Sequence, residues 1–158
     1  MESVYKRLRP LLLRVWRDVP FPGWVRQLFL RILNPSFMVG AMALIQDEQG
    51  RVLVLEHTYR RTVPWGLPGG WLKQAESPEA GLVREVFEET GLRVRVDRLL
   101  GADFWERSQL DLLYRCTVES GTYTSSDETG LHRWVMPADL PDLLPNQLAL
   151  LRKVGLFG

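Results

Sequence analysis

The chain has 158 residues, 46% of them apolar and 25% charged, with a formal net charge of +1. That size and balance fit one domain with a sizeable core and give no global reason to expect a stable nucleic-acid partner. The single cysteine, Cys116, excludes an internal disulfide framework and a cysteine-rich zinc site and suits a reducing, cytoplasmic setting; no apolar run reaches the roughly 18 residues of a membrane span.

Charge is unevenly spread. Lys6, Arg7, Arg9, Arg14, Arg17, Arg26 and Arg31 stand against Glu2 and Asp18 in residues 1–33, a balance of +5, so the remainder carries −4. This arm, residues 1–35, reads as two helices, about Ser3–Asp18 and Gly23–Leu33, parted by the turn Val19-Pro20-Phe21-Pro22, with Pro10 kinking or dividing the first. Arginines interrupt its apolar positions and no small-residue cleavage site follows, which argues against a signal peptide. One reading is a basic amphipathic anchor making peripheral contact with an anionic membrane. The preferred one is an extension that packs against the domain or across a homodimer, since amphipathic helices mostly cover a core.

Residues 36–158 read as the main domain. Phe37–Ile45 is apolar on both alternating faces, as in a strand buried on both sides. Asp47-Glu48-Gln49-Gly50 reads as a hairpin loop and Arg51–Glu56 as the returning strand. A polar loop over His57–Pro64 contains Tyr59, Arg60 and Arg61, and Trp65-Gly66-Leu67-Pro68 leads into a glycine loop at Gly69 and Gly70. Beyond it Ser77 suits a helix N-cap, Pro78 the first helical position and Gly91 the C-terminal stop after Thr90. Leu92–Asp97 and Leu112–Glu119 alternate as strands, His132–Met136 reads as the last strand, and a helix over about Asn146–Val154 closes the chain. Strands on both sides of one strong helix, with another helix at the end, predict an α/β sandwich.

Helical spacing places Glu85 and Glu89 one turn apart with Glu88 beside them, next to a stripe of Leu82, Val83, Val86 and Thr90 suited to packing on a sheet. Arg84 is near enough to pair with only one of the three acids. The acids fit either a solvated acidic face or a site for a hard divalent cation, which takes carboxylate oxygens together with substrate phosphates. Gly69 and Gly70 favour the cation by letting backbone approach a ligand closely.

The stretch from Gly70 to Leu92 resembles the Nudix box: Gly70, Glu76, Arg84, Glu85, Val86, Glu88, Glu89, Gly91 and Leu92 fill every place of its pattern. The resemblance covers roughly Phe37–Leu151 and implies an α/β/α sandwich with a mixed sheet. It implies an enzyme that cuts a nucleoside diphosphate linked to another moiety, or a nucleoside triphosphate, within the phosphate chain, using Mg²⁺ or Mn²⁺. By resemblance Glu85, Glu88 and Glu89 are catalytic and ligate the metal with the Gly69 carbonyl, while Gly70, Glu76 and Arg84 support the site. Glu128 lies where many relatives carry a further metal-binding glutamate, and either it or Glu85 could serve as base. Arg60 and Arg61 are candidates to hold a phosphate; Tyr59, Phe104, Trp105 and Tyr114 are candidates to stack on a base, each weighed against a place in the core or cleft wall. Trp71 reads as structural, and neither His57 nor His132 receives a catalytic role. Residues 103–107 lack the proline and tyrosine that mark two subfamilies, so the leaving group stays open. The alternative function is a nucleotide-binding regulatory module on the same fold, recruited by the arm.

Overall fold

The run Met38–Ile45 forms β1, and its lack of polar alternation is explained by burial on both faces. Ala41, Ala43 and Ile45 enter one apolar cluster with Leu82 and Val86, while Met42 and Leu44 enter a second with Leu150 and Leu151. The strand is therefore the middle layer between two helices. The computed structural model describes residues 22–33, 37–106 and 108–157. The chain divides into two units, residues 1–36 and 37–158. In the first, Gly23–Leu33 forms helix α1, over the expected span; the helix expected at Ser3–Asp18 lies outside the described residues. Among those residues no helix is long and apolar enough to cross a membrane.

In the second unit β1 is followed by β2 (Val52–His57), β3 (Trp65–Gly66), β4 (Gly69–Trp71), α2 (Pro78–Thr90), β5 (Arg93–Trp105), β6 (Gln109–Ser120), β7 (Thr129–Val135), a 3₁₀ turn at Pro137–Asp139 and α3 (Pro145–Lys153). One sheet is mixed, in the order β4-β1-β6-β5, and β1 pairs with β6 in parallel from Met38↔Gln109 to Ile45↔Cys116. The other, β3-β2-β7, is antiparallel. β1 and β2 are joined by the expected turn, with Asp47 Oδ1 accepting from the amides of Gln49 and Arg51. They nevertheless share only a bridge at Gln46↔Val52, so they belong to different sheets. The mixed-sheet α/β/α sandwich is thus present, with a small second sheet beside it.

Helix α2 begins and ends as its caps dictate. Ser77 Oγ accepts from Ala80 N at 3.2 Å, and Gly91 closes the helix at φ 71°, its amide donating to the Phe87 carbonyl. Its buried side, Leu82, Val86 and Thr90, lies on the sheet, which fixes the direction in which its acids project. Three local differences from the sequence expectation have physical causes. β5 runs well past Asp97 because register shifts at Val96/Arg98 and Leu99/Gly101 break the alternation that marks a strand. β3 and β4 are two and three residues long and glycine-rich, too short to carry a periodic signal. Gly69 has φ 140°, and a Cβ there would lie 2.2 Å from the Ala41 carbonyl oxygen, so backbone packs where a side chain would stand.

Candidate active site

β4 and α2 together place the glycine loop against the acidic helix. Glu89 is buried, and its Oε2 accepts the Gly69 amide at 2.8 Å. Its backbone carbonyl accepts from the buried Thr129 hydroxyl at 2.7 Å, tying α2 to the start of β7. Burial pushes the Glu89 carboxyl up to about 8; the Gly69 amide and Arg60 oppose that rise, while the neighbouring charges of Glu85 and Glu128 add to it. Glu85 sits under Gly70, where a Cβ would come within 2.6 Å of its carboxyl carbon. Only a residue without a side chain lets this loop close over that acid.

Arg84 does more than the sequence spacing suggested. Its Nε and Nη2 donate to the two oxygens of Glu76 at 2.8 and 2.9 Å, and Nη1 donates to Glu85 at 2.6 Å and to Glu88 at 3.0 Å. The expectation of a single partner is therefore corrected. A guanidinium is a planar fork with five donors, and here it serves three carboxylates. The bidentate contact holds Glu76 down to about 2, aided by the Lys73 amide, and the same contacts hold Arg84 above its ordinary value.

Glu85, Glu88, Glu89 and Glu128 line one cavity of about 690 Å³, together with Gly69, Gly70, Arg60 and Arg84. Arg61 is exposed and does not line it; Glu76 stands behind it, braced on Arg84. Among the described residues no three carboxylate, imidazole or thiol groups already stand in metal-holding geometry. Glu85 and Glu88 are both held by Arg84. The donor set nevertheless fits a hard divalent cation, because it offers only carboxylate and backbone oxygens and leaves a buried acid, Glu89, beside two more.

The same cavity has a second wall that the sequence did not reveal. Gly40 on β1 has Trp71 of β4 and Asp111 of β6 as cross-strand neighbours. A Cβ on Gly40 would lie 2.9 Å from Asp111 Oδ1 and 3.5 Å from the Trp71 ring, so carboxylate and indole flank a bare strand. Asp111 is buried, accepting from Gln109 Nε2 at 2.8 Å and from Asn146 Nδ2 at 2.7 Å. Gln147 Oε1 holds the Leu67 amide at 3.0 Å. Of the aromatic candidates, Tyr59 lines the cavity; Phe104 and Trp105 do not. Tyr114 is in the core with its hydroxyl on Glu79 at 3.2 Å, and Trp71 takes the place in the wall instead. His57 is buried at 1% exposure behind the cavity, with Nδ1 3.4 Å from the Tyr59 hydroxyl and 3.8 Å from Glu89 Oε1. Burial, and secondarily Arg60, holds it down to about 4. His132 is exposed and stacks on Tyr123.

A family model described as the NUDIX domain matches residues 36–154. The chain belongs to the Nudix family. A MutT-like protein of Streptomyces ambofaciens is 34% identical over 117 residues, covering 73% of this chain and 75% of that relative. Among solved structures, an ADP-ribose pyrophosphatase from Streptococcus suis has a TM-score of 0.61 at 25% identity, covering 73% of this chain and 89% of its own. A MutT Nudix hydrolase from Burkholderia pseudomallei has a TM-score of 0.63 at 27% identity, covering 76% and 99%. This Nudix chain is accordingly an enzyme, a hydrolase of pyrophosphate bonds in small nucleotide-type substrates.

Proposed function

We propose that this Nudix hydrolase is metal-dependent and cuts a nucleoside triphosphate or a nucleoside diphosphate derivative whose base lies along the Trp71–Gly40–Asp111 wall. The observation that carries the reading is that one cavity joins an acid wall to an aromatic and amide wall. Glu85, Glu88 and Glu89, with the Gly69 carbonyl and Glu128, are the residues that would hold Mg²⁺ or Mn²⁺. Such a cation would neutralise phosphate charge and polarise the attacking water. The chain's own contribution is positioning. Arg84 and Glu76 fix the helix against the loop, and Arg60 lines the cavity as a hydrogen-bond donor for a substrate phosphate. Arg61, outside the lining, is dropped from that role. Glu85 and Glu128 remain the two candidates for the base.

Asp111 accepts from Gln109 Nε2 on both oxygens and from Asn146 Nδ2 on Oδ2, so the three side chains form one hydrogen-bonded unit in the wall. That wall combines polar side chains with the Trp71 indole, which offers a stacking surface to a planar ring. Support for a nucleotide comes also from the description of one structural relative, an ADP-ribose pyrophosphatase.

The experiment is Mg²⁺-dependent hydrolysis across nucleoside triphosphates, nucleotide sugars, CDP-alcohols, ADP-ribose and dinucleoside polyphosphates, with products weighed by mass and Glu89→Gln alongside. Cleavage that needs the cation and vanishes in Glu89→Gln is the expected result. Turnover that persists in a chelator refutes metal dependence. Nucleotide binding without turnover returns the protein to the regulatory-module alternative.

A further inference from the structure

The last carbonyls of a helix have no partner within it. At the end of α2 they are met from another part of the chain. The Thr90 carbonyl accepts the Thr124 amide at 2.9 Å, and the Glu89 carbonyl accepts the buried Thr129 hydroxyl at 2.7 Å. The segment from the end of β6 to the first residue of β7 therefore caps the acid helix, and Glu128 lies on it next to Thr129.

Each hydroxyl there has a definite role. A hydroxyl carries one proton and two lone pairs. Thr129 gives its proton to a carbonyl, so the Ser126 hydroxyl, 3.0 Å away, donates to Thr129. Ser126 Oγ in turn accepts the amides of Glu128 and Thr129, both at 3.2 Å. Three hydrogen bonds thus run in one direction, from the Glu128 amide through Ser126 and Thr129 to the Glu89 carbonyl, and bonds chained in this way strengthen one another. Thr58 closes on the loop from the other side. Its amide donates to the Glu128 carbonyl at 2.9 Å, and its hydroxyl donates to the Asp127 carbonyl at 2.9 Å. Both backbone groups of Glu128 are held, while its side chain lines the cavity and makes no hydrogen bond or ion pair among the described residues.

We infer that Ser126 and Thr129 are positioning residues for Glu128: their two hydroxyls tie its backbone to the end of α2 and hold the loop acid in the cavity of the helix acids. Surface loops are the mobile part of a fold, and this one is anchored to a helix that the sheet itself fixes. A carboxylate that must meet a cation or a water molecule loses effectiveness with about 1 Å of misplacement. The inference rests on the reading of Glu128 as cation ligand or base. It applies equally to both roles, because the hydroxyls act on the backbone that carries the carboxylate.

A double-mutant cycle on the full chain tests it, with wild type, Ser126→Ala, Glu128→Gln and the two combined. Each protein is titrated calorimetrically with Mn²⁺, assayed for kcat on the best substrate of the panel above, and unfolded in urea with a chelator. The readout is whichever of Mn²⁺ affinity and kcat falls in Glu128→Gln. Ser126→Ala should lower that quantity about tenfold in the wild-type background. It should change it less than about twofold once residue 128 is glutamine, since a residue acting through the carboxylate has nothing left to position. Thr129→Ser keeps the hydroxyl and should stay within about threefold of wild type, where Thr129→Val loses about tenfold. Equal losses from Ser126→Ala in both backgrounds, or Thr129→Val as good as Thr129→Ser, mark a merely structural role and overturn the inference. A loss in Glu128→Gln with none in Ser126→Ala overturns the positioning alone and leaves Glu128 in place. Wild-type behaviour of Glu128→Gln in both readouts removes the role of Glu128, and the positioning role falls with it.

Discussion

Replacing Glu89 by glutamine separates what this acid costs the fold from what it does in the site. The wild-type carboxyl is 5% exposed and pushed from an ordinary 4.5 up to about 8, chiefly by burial. A raised pKa means that the folded protein holds a proton the unfolded chain releases. The associated stability is fully present below about pH 4.5 and is lost as pH rises through about 8. At about 1.4 kcal/mol per pH unit the interval from 4.5 to 8 amounts to about 5 kcal/mol, a ceiling comparable to the whole stability of many domains. Glutamine is close in shape to the protonated acid and can still accept the Gly69 amide through its oxygen. His57, held down to about 4, loses its contribution in the other direction, as pH falls from 6.5, but it is common to both proteins and cancels in the difference. Urea unfolding in a chelator at about pH 5 and about pH 8.5 should therefore show Glu89→Gln gaining on wild type by several kcal/mol as pH rises. Saturating Mg²⁺ should shrink that gain by stabilising wild type at the higher pH. A difference between the two proteins that is the same at both pH values, with and without the cation, refutes the reasoning.

Four further outcomes are expected. Gly69→Ala forces a side chain to within 2.2 Å of the Ala41 carbonyl at φ 140°, and should cost about 3 kcal/mol or more in urea unfolding, well beyond an ordinary glycine exchange. Arg84→Ala strips partners from Glu76, Glu85 and Glu88 together and should lower kcat/KM by about 100-fold, with Arg84→Lys recovering little because a single ammonium cannot fork; steady-state kinetics decide it. Asp111→Ala frees the amides of Gln109 and Asn146 to turn, and should raise KM about tenfold with kcat within a few-fold of wild type, a split read from the same kinetics. Cys116 is 3% exposed and pushed up to about 12 by burial, with Asp97 adding to the rise, so the native protein should resist a thiol reagent at neutral pH and titrate one thiol after unfolding in urea.

Much of the fold was legible because its signals are local. Ser77, Pro78 and Gly91 bracket α2 to the residue, and the unbroken apolar run of β1 foretold burial on both faces. What escaped depends on distance or on irregularity. The bulges of β5 erase the period that would have extended it past Asp97, and three residues of β4 are too few to show one. In the site, the helix supplied its acids as a motif, but the reach of Arg84 to Glu76 is a matter of side-chain geometry across eight positions. Asp111 was a single letter in a strand; it acquires a meaning only from a residue 35 positions away, Asn146. Which of the aromatic candidates reach the cavity was hidden for the same reason. Tyr114 alternates inward to the core, while Trp71 follows the glycine loop around to the cavity.

The parallel pairing of β1 with β6 has a consequence in time. Met38 is matched to Gln109, 71 positions later in the chain. At about 5–20 residues per second of synthesis, the strand MVGAMALI waits roughly 4–14 s for the neighbour that completes its sheet. Through that interval its unpaired N–H and C=O edge and its apolar side chains are open to any other nascent strand. Yield in overexpression should therefore depend more on temperature and chaperone supply than on the finished protein's stability, because the vulnerable moment precedes the fold.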